Sequence, residues 1–317
     1  MFILKFAIAT LVFYIWFSYN LKEIGYQTTY IDDVDYVNQM PVIEMWLSTA
    51  TGVDSDIDSL LESLLNPQHQ VSDTLTQDFY TQRFQTLCDA HQKLCTKIVF
   101  AGDFSSYEKL IYAAAMIRIV TQTDRLLIAS WLPSVVDTLR TITINSDGWE
   151  RRWGATRNTI VLNTSLIDTF SEFFDVFTHE LWHIVDLWVI QGVSRNKDQK
   201  FTEFGRVVFA ADDPSLSYYN LSWTSESTRY FQSRSEDFCS GYGMTNPFED
   251  FAECFNLYMN HNAYFRAIAE DNDILKQKYN FLANILNGWY LFTSQEDVRL
   301  AQNKRTWRRP RDTTRMW

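Results

Sequence analysis

The chain has 317 residues, 46% of them apolar and 16% aromatic, enough to bury a sizeable core. Only 10 glycines and 6 prolines exclude a low-complexity chain and argue against a turn-rich all-β fold. A net charge of −11 argues against nucleic acid as a partner.

Residues 1–19 read as a targeting segment. Lys5 precedes the apolar run Phe6 to Phe17, which has the length of a signal-peptide core. With Phe2-Ile3-Leu4 counted, it approaches a membrane anchor. No small-x-small cleavage site follows, so a cleaved signal and an uncleaved anchor both stand. Either one exports the rest of the chain to a periplasmic or extracellular location. The membrane would then be a partner only through a retained N-terminus.

Residues 20–75 read as a spacer with small helices, among them Asp54 to Leu65, which Asn66-Pro67 would end. Residues 76–303 form the expected main domain, and residues 304–317, with six Lys or Arg, a solvated basic tail. Inside the main domain, Asp78 to Leu94 is expected as a helix and Lys97 to Phe100 as a strand. Glu108 to Val120 and Leu126 to Leu139 follow as two further helices. Thr141 to Ile144 and Asn158 to Asn163 are short and β-branched, hence strands, with a turn at Asp147-Gly148 between them.

Phe170 to Ile190 carries Phe173, Phe174, Phe177, Leu181, Trp182, Ile184, Val185 and Val189 at three- and four-residue steps, without Gly or Pro. That pattern predicts one helix. It contains His179-Glu180-Leu181-Trp182-His183, an H-E-x-x-H pattern. Residues four apart lie on one helical face, so the two imidazoles can share a zinc ion. Glu180 projects beside the metal, where a carboxylate can take a proton from an attacking water. The blander reading is two packing histidines on a helix, and zinc needs a third protein ligand. A metzincin pattern fails, because Asp186 stands where a glycine is needed and Val189 where the third histidine would be.

Gln191 to Ser240 is loop-rich; Tyr218, Tyr219, Trp223 and Tyr230 in it are expected either to line a cleft or to pack. Asn246-Pro247 opens a second helix, with Pro247 suited to the first turn and Thr245 or Asn246 to the cap. Glu249 and Glu253 share one face of it. One can ligate the metal and the other can stand behind a ligand histidine. His261 lies three turns past Glu249 and reads as a non-ligand, as do His69 and His91. Ile274 to Leu291 is expected as a packing helix.

Four cysteines in an exported chain suggest two disulfides, with three pairings possible. The local pairing joins Cys88 to Cys95 and Cys239 to Cys254. Cysteines seven apart on an unbroken helix cannot bridge, so the first pair requires a break near Ala90. The second would tie the loop carrying Tyr242 to the helix carrying Glu249. Asn163-Thr164-Ser165 and Asn220-Leu221-Ser222 are glycosylation sequons, relevant only in a eukaryotic secretory route.

Two blocks resemble the catalytic domain of the anthrax toxin lethal factor, a gluzincin-type zinc metallopeptidase. The first is His179-Glu180-x-x-His183-x-Val185-Asp186. The second is Tyr242-Gly243-x-Thr245-Asn246-x-x-Glu249-x-Phe251-Ala252-Glu253-x-Phe255. The resemblance spans roughly 158–281, with a longer stretch between the blocks than in that family. It implies His179, His183 and Glu249 as zinc ligands, Glu180 as general base, Tyr242 as transition-state stabiliser and Glu253 behind a ligand. It also implies a strand at a sheet edge before the active-site helix, where an extended peptide can add as a further strand; an ordinary covered hairpin is the other reading. The expected fold is therefore α+β and zincin-like, mostly helical with a small mixed sheet. The expected function is zinc-dependent hydrolysis of peptide bonds in a protein or peptide substrate outside the cytoplasm. The alternatives are a zinc-containing module that binds peptide without cutting it, and a zinc hydrolase of non-peptide amides.

Overall fold

The computed structural model describes residues 57, 59–61, 77–147, 153–156, 158–202, 205–206, 209–288, 290 and 312–315. The targeting segment of residues 1–19 and most of the expected spacer lie outside the described residues. Ile57 and Leu61, from within the expected spacer, are buried in the core of a compact unit that runs from Ile57 to Trp317. The described part is α+β: mostly helical, with one small mixed sheet and a separate two-stranded ribbon. No helix among the described residues is long and apolar enough to cross a membrane.

Helix α1 spans Gln77–Ala90 and α2 spans Gln92–Cys95. The chain breaks between them at His91, and the break brings the Cys88 and Cys95 Cα atoms to 5.4 Å, where they form a disulfide. Strand β1 is Ile98–Ala101. Helix α3, Ser106–Ala129, is one unbroken element, not the two expected. Its polar stretch Thr121 to Arg125 contains no Gly or Pro, so only patterning argued for a break. A capping box between Ser105 and Glu108 opens it, each residue bonding the other's main chain. Pro133 keeps the chain from continuing in helix, and α4 is a single turn, Val135–Thr138.

Strands β2 (Thr141–Asn145), β3 (Trp153–Thr156) and β4 (Thr159–Asn163) complete the sheet in the order β1-β2-β4-β3. The pairs β1–β2 and β2–β4 are parallel, while β3 lies antiparallel on β4. The two expected strands are therefore not a hairpin, and the strand preceding the motif helix is internal. The sheet edge on that side is β3, which the sequence reading passed over. A hairpin turn takes two to five residues, and the β2-to-β4 connection is far longer.

Helix α5, Phe170–Ile184, is capped by Thr169, whose hydroxyl accepts the Glu172 N–H at 3.0 Å. It widens into a π-helical turn at Val185–Val189, directly after the second motif histidine. Helix α6 is Pro214–Tyr219, and the ribbon pairs β5 (Trp223–Ser225) with β6 (Thr228–Arg229). Helix α7, Pro247–Asn260, starts as expected: the Asn246 side chain accepts the N–H groups of Phe248 and Glu249. Helices α8 (Asn262–Glu270) and α9 (Asp273–Ile285) follow. α9 ends before the expected Leu291. Asn287 and Gly288 both take positive φ, and the Gly288 N–H closes back on Ala283 O at 2.7 Å.

α5 and α7 pack face to face, with the Trp182 ring stacked between Phe251 and Phe255. Behind them Lys278 of α9 and Asp250 of α7 form an ion pair at 2.6 Å with no exposure on either side chain. Lys278 also donates to Asp237 O at 2.8 Å, and Asp250 accepts the Trp223 indole N–H at 3.0 Å. A fully buried pair is tolerable only with such complete satisfaction. It fixes the first turn of α7, which carries Glu249. Lys278→Ala should lower the unfolding free energy by about 3–5 kcal/mol, because it strands a buried carboxylate. Chemical denaturation measures this, and a loss below about 1 kcal/mol would show the pair to be incidental.

Candidate metal centre

α5 places His179, Glu180 and His183 together, with potential ligand atoms within 4.8 Å of one another. From α7, Glu249 Oε2 comes to 3.1 Å from His179 Nε2 and 3.4 Å from His183 Nε2. The two Nε2 atoms are 3.2 Å apart. Glu180 is the other carboxylate near both imidazoles, but it differs in its partner: the Ala155 N–H of edge strand β3 donates to it. Glu249 therefore completes the triangle and Glu180 stands beside it.

The opposite nitrogen of His179 bears on what the triangle can hold. His179 Nδ1 lies 2.9 Å from Glu253 Oε1, a close ion-pair contact whose angle is not that of an aligned hydrogen bond. With a proton on Nδ1, facing that carboxylate, the neutral ring presents a lone pair at Nε2. That lone pair points at Glu249 Oε2, also an acceptor. Two acceptors 3.1 Å apart need a proton or a cation between them. A tetrahedral zinc with ligands at about 2.0–2.1 Å separates its donor atoms by about 3.3 Å. The three separations here, 3.1, 3.2 and 3.4 Å, are those of one face of such a tetrahedron. Two imidazoles and a carboxylate are also a donor set suited to zinc. The residues fit the metal.

Burial and charge sort the groups. Burial pushes the Glu180 carboxyl up to about 7, against the pull of His183, His179 and the Ala155 N–H. Burial also pushes Glu249 up, but His183 and His179 outweigh it and hold its carboxyl well below the usual range. For His179, burial opposes the charged form, yet the hydrogen bonds of Glu249 and Glu253 hold the imidazole well above its ordinary value. His183 is raised too, its burial outweighed chiefly by Glu249. Two neighbouring carboxyls thus end far apart, one holding its proton to near neutrality and one permanently ionised. His179 is 1% exposed, whereas the His183 and Glu249 side chains keep 14% and 18%, so the triangle is not sealed from solvent at those two residues.

Tyr242 stands in a 3₁₀ turn, Tyr242–Met244, with its ring centroid 6.1 Å from that of His179. Burial raises the pKa of its hydroxyl, and so do the charge of Glu249 and the hydrogen bond to it. The turn packs closely on α7, since a side chain at Gly243 would meet Asp250 Cα at 3.4 Å. The Cys239–Cys254 disulfide, Cα to Cα 5.2 Å, clasps this loop to α7. Both disulfides thus follow the local pairing, and no cysteine is free.

Glu253 is fully buried, and the sequence did not reveal what holds it. Ser240 donates its hydroxyl to Oε2 in a short hydrogen bond, and the Thr313 N–H donates to the same oxygen at 2.7 Å. Thr313 lies in the expected basic tail. Thr313 and Thr314 are buried, at 0% and 1% exposure, so a solvated tail is wrong for those two residues. A second buried network also escaped the sequence reading. Asp175, one turn before His179, lies 3.2 Å from His261 Nε2 and accepts the Asn260 side chain at 3.1 Å. His261 is a packing residue in this network and no part of the triangle.

The loop aromatics divide likewise. Tyr218, Tyr219 and Trp223 are buried, while Tyr230 is exposed. Tyr219 donates a short hydrogen bond to Asp186, whose carboxyl burial pushes up to about 7. Of the two sequons, Asn163 is buried and its side chain accepts from Ser165, whereas Asn220 is exposed at the end of α6. No family model matches this chain, and no curated protein or solved structure matches it.

The purified chain should bind one divalent cation, measured by elemental analysis, and Glu249→Ala should lose it. Glu253→Gln should keep it with about 10–100-fold weaker affinity, as loss of an outer partner does. Stoichiometric metal in both His183→Ala and Glu249→Ala would dismantle the site.

Proposed function

We propose that this protein is a zinc metallopeptidase of the gluzincin type, with a zincin-like fold, acting on proteins or peptides outside the cytoplasm. The observation that carries the reading is the triangle of His179 Nε2, His183 Nε2 and Glu249 Oε2, with the high-pKa Glu180 at its side. Zinc held there would supply a Lewis acid that makes water nucleophilic near neutral pH and polarises a carbonyl.

The chain's own groups do the rest. Glu180 takes the proton of the attacking water and returns it to the leaving amine; a carboxyl titrating near neutrality suits both transfers. Tyr242 donates its hydroxyl to the carbonyl oxygen as that oxygen gains charge, and its raised pKa keeps it a donor at any working pH. Glu253 holds the His179 ring and its tautomer.

Edge strand β3 supplies a place for the peptide. Its Ala155 main chain touches Glu180, and a side chain at Gly154 would meet nothing within 4 Å. An extended peptide laid along that edge gains main-chain hydrogen bonds and passes the base. Two closed disulfides and no free thiol favour an oxidising compartment.

Glu180→Gln keeps the shape and the metal ligands but removes the proton acceptor. Zinc content and peptide affinity should hold while peptide-library turnover falls by about 10²–10⁴. Tyr242→Phe should cost on the order of 10²–10³ in turnover, with a smaller effect on affinity. Unchanged turnover in Glu180→Gln would exclude the mechanism. Peptide affinity without any wild-type turnover would instead mark a binding module.

A further inference from the structure

The turn Thr313–Arg315 packs against α5 and α7, far from the motif in sequence. Thr313 touches α7 twice. Its N–H donates to Glu253 Oε2 at 2.7 Å, and its hydroxyl accepts the Asn256 side chain at 3.0 Å. Asn256 accepts Asn260 in turn at 2.8 Å, and Asn260 reaches Asp175 and Thr178 on α5. One short turn therefore closes a buried polar network that spans both helices of the site.

Glu253 explains why this matters. Its carboxylate is fully buried, so each oxygen needs donors from the protein. Oε1 faces His179 Nδ1, and Oε2 takes the Ser240 hydroxyl and the Thr313 N–H. With both Oε2 donors present, the carboxylate has one orientation, and that orientation aims Oε1 at His179. Deleting the Thr313 donor leaves Ser240 alone to fix Oε2, and the carboxylate can turn away from the imidazole.

We propose that the Thr313–Arg315 turn is a structural part of the metal centre, with Thr313 a positioning residue that sets His179 through Glu253. The inference rests on the zinc reading above. It assigns to the 304–317 segment a role in metal affinity that its basic composition does not suggest. The group that acts on Glu253 is a main-chain N–H, so trimming the Thr313 side chain to Ala should spare metal affinity, although it removes the acceptor for Asn256.

The test uses the full chain and zinc alone as probe, with affinity read by competition against a chromophoric chelator. Thr313→Pro removes the N–H but sets the ring Cδ against the Glu253 carboxylate, so an ester at that bond is the cleaner deletion. Either change should weaken zinc binding about tenfold, the lower end for outer partners. Thr313→Ala keeps the N–H and should stay within about threefold of wild type by the same scale. In a Glu253→Gln background Thr313→Pro should add no further loss, because the two changes cut one path; a merely structural role would add. If Thr313→Pro fails to fold, an ester in place of the 312–313 peptide bond, introduced by ligation, deletes the same N–H and should show the same tenfold loss. Wild-type and Thr313→Pro (or ester) chains of equal zinc affinity would overturn this inference alone, as would an undiminished loss in the Glu253→Gln background. A wild type that binds no zinc would overturn the metal reading itself, and this inference with it.

Discussion

A carboxylate with no access to solvent must be matched oxygen by oxygen, and Glu253 imposes that demand on everything around it. Its partners come from three separate places: His179 on α5, Ser240 in the loop before α7, and Thr313. Satisfying them fixes the rotation of α5 against α7, and with it the meeting of His179 and Glu249. The aromatic stack of Trp182 on Phe251 and Phe255 supplies the apolar area of that contact, but stacked rings alone permit sliding. The buried carboxylate–imidazole pair permits one register. The Lys278–Asp250 pair then holds the first turn of α7 from behind, so Glu249 is set from two sides.

Burial also divides the labour among the carboxyls. Glu180 and Glu249 sit in one pocket but face different neighbours. Glu249 lies between two imidazoles and is held ionised; Glu180 lies against the edge strand and is pushed toward neutrality. A ligand needs the first property and a proton carrier the second. The difference follows from which helix each residue stands on: consecutive residues of α5 cannot both point at the same metal, so the residue after His179 is directed beside it.

Features set by local rules were legible in the sequence. The i, i+4 spacing of His179 and His183, the Asn246-Pro247 start of α7 and the required helix break between Cys88 and Cys95 each rest on geometry within one or two turns. Features set by distant partners were not legible. Trp153 to Thr156 has little strand character of its own and becomes β3 only by pairing with β4, so the sheet edge was misplaced. Thr121 to Arg125 looked like a loop because a polar face of a long helix and a short connection share a composition. His261 looked idle because its partner, Asp175, is 86 residues away. Thr313 acts through a main-chain N–H, which leaves no trace in side-chain identity.

Zinc held by His179, His183 and Glu249 would have one first coordination sphere, and X-ray absorption at the zinc edge of the loaded chain reads it. The proposed zinc site predicts nitrogen and oxygen scatterers at about 2.0–2.1 Å with the outer-shell pattern of two imidazoles. Sulfur at about 2.3 Å, or a single imidazole, would contradict the account.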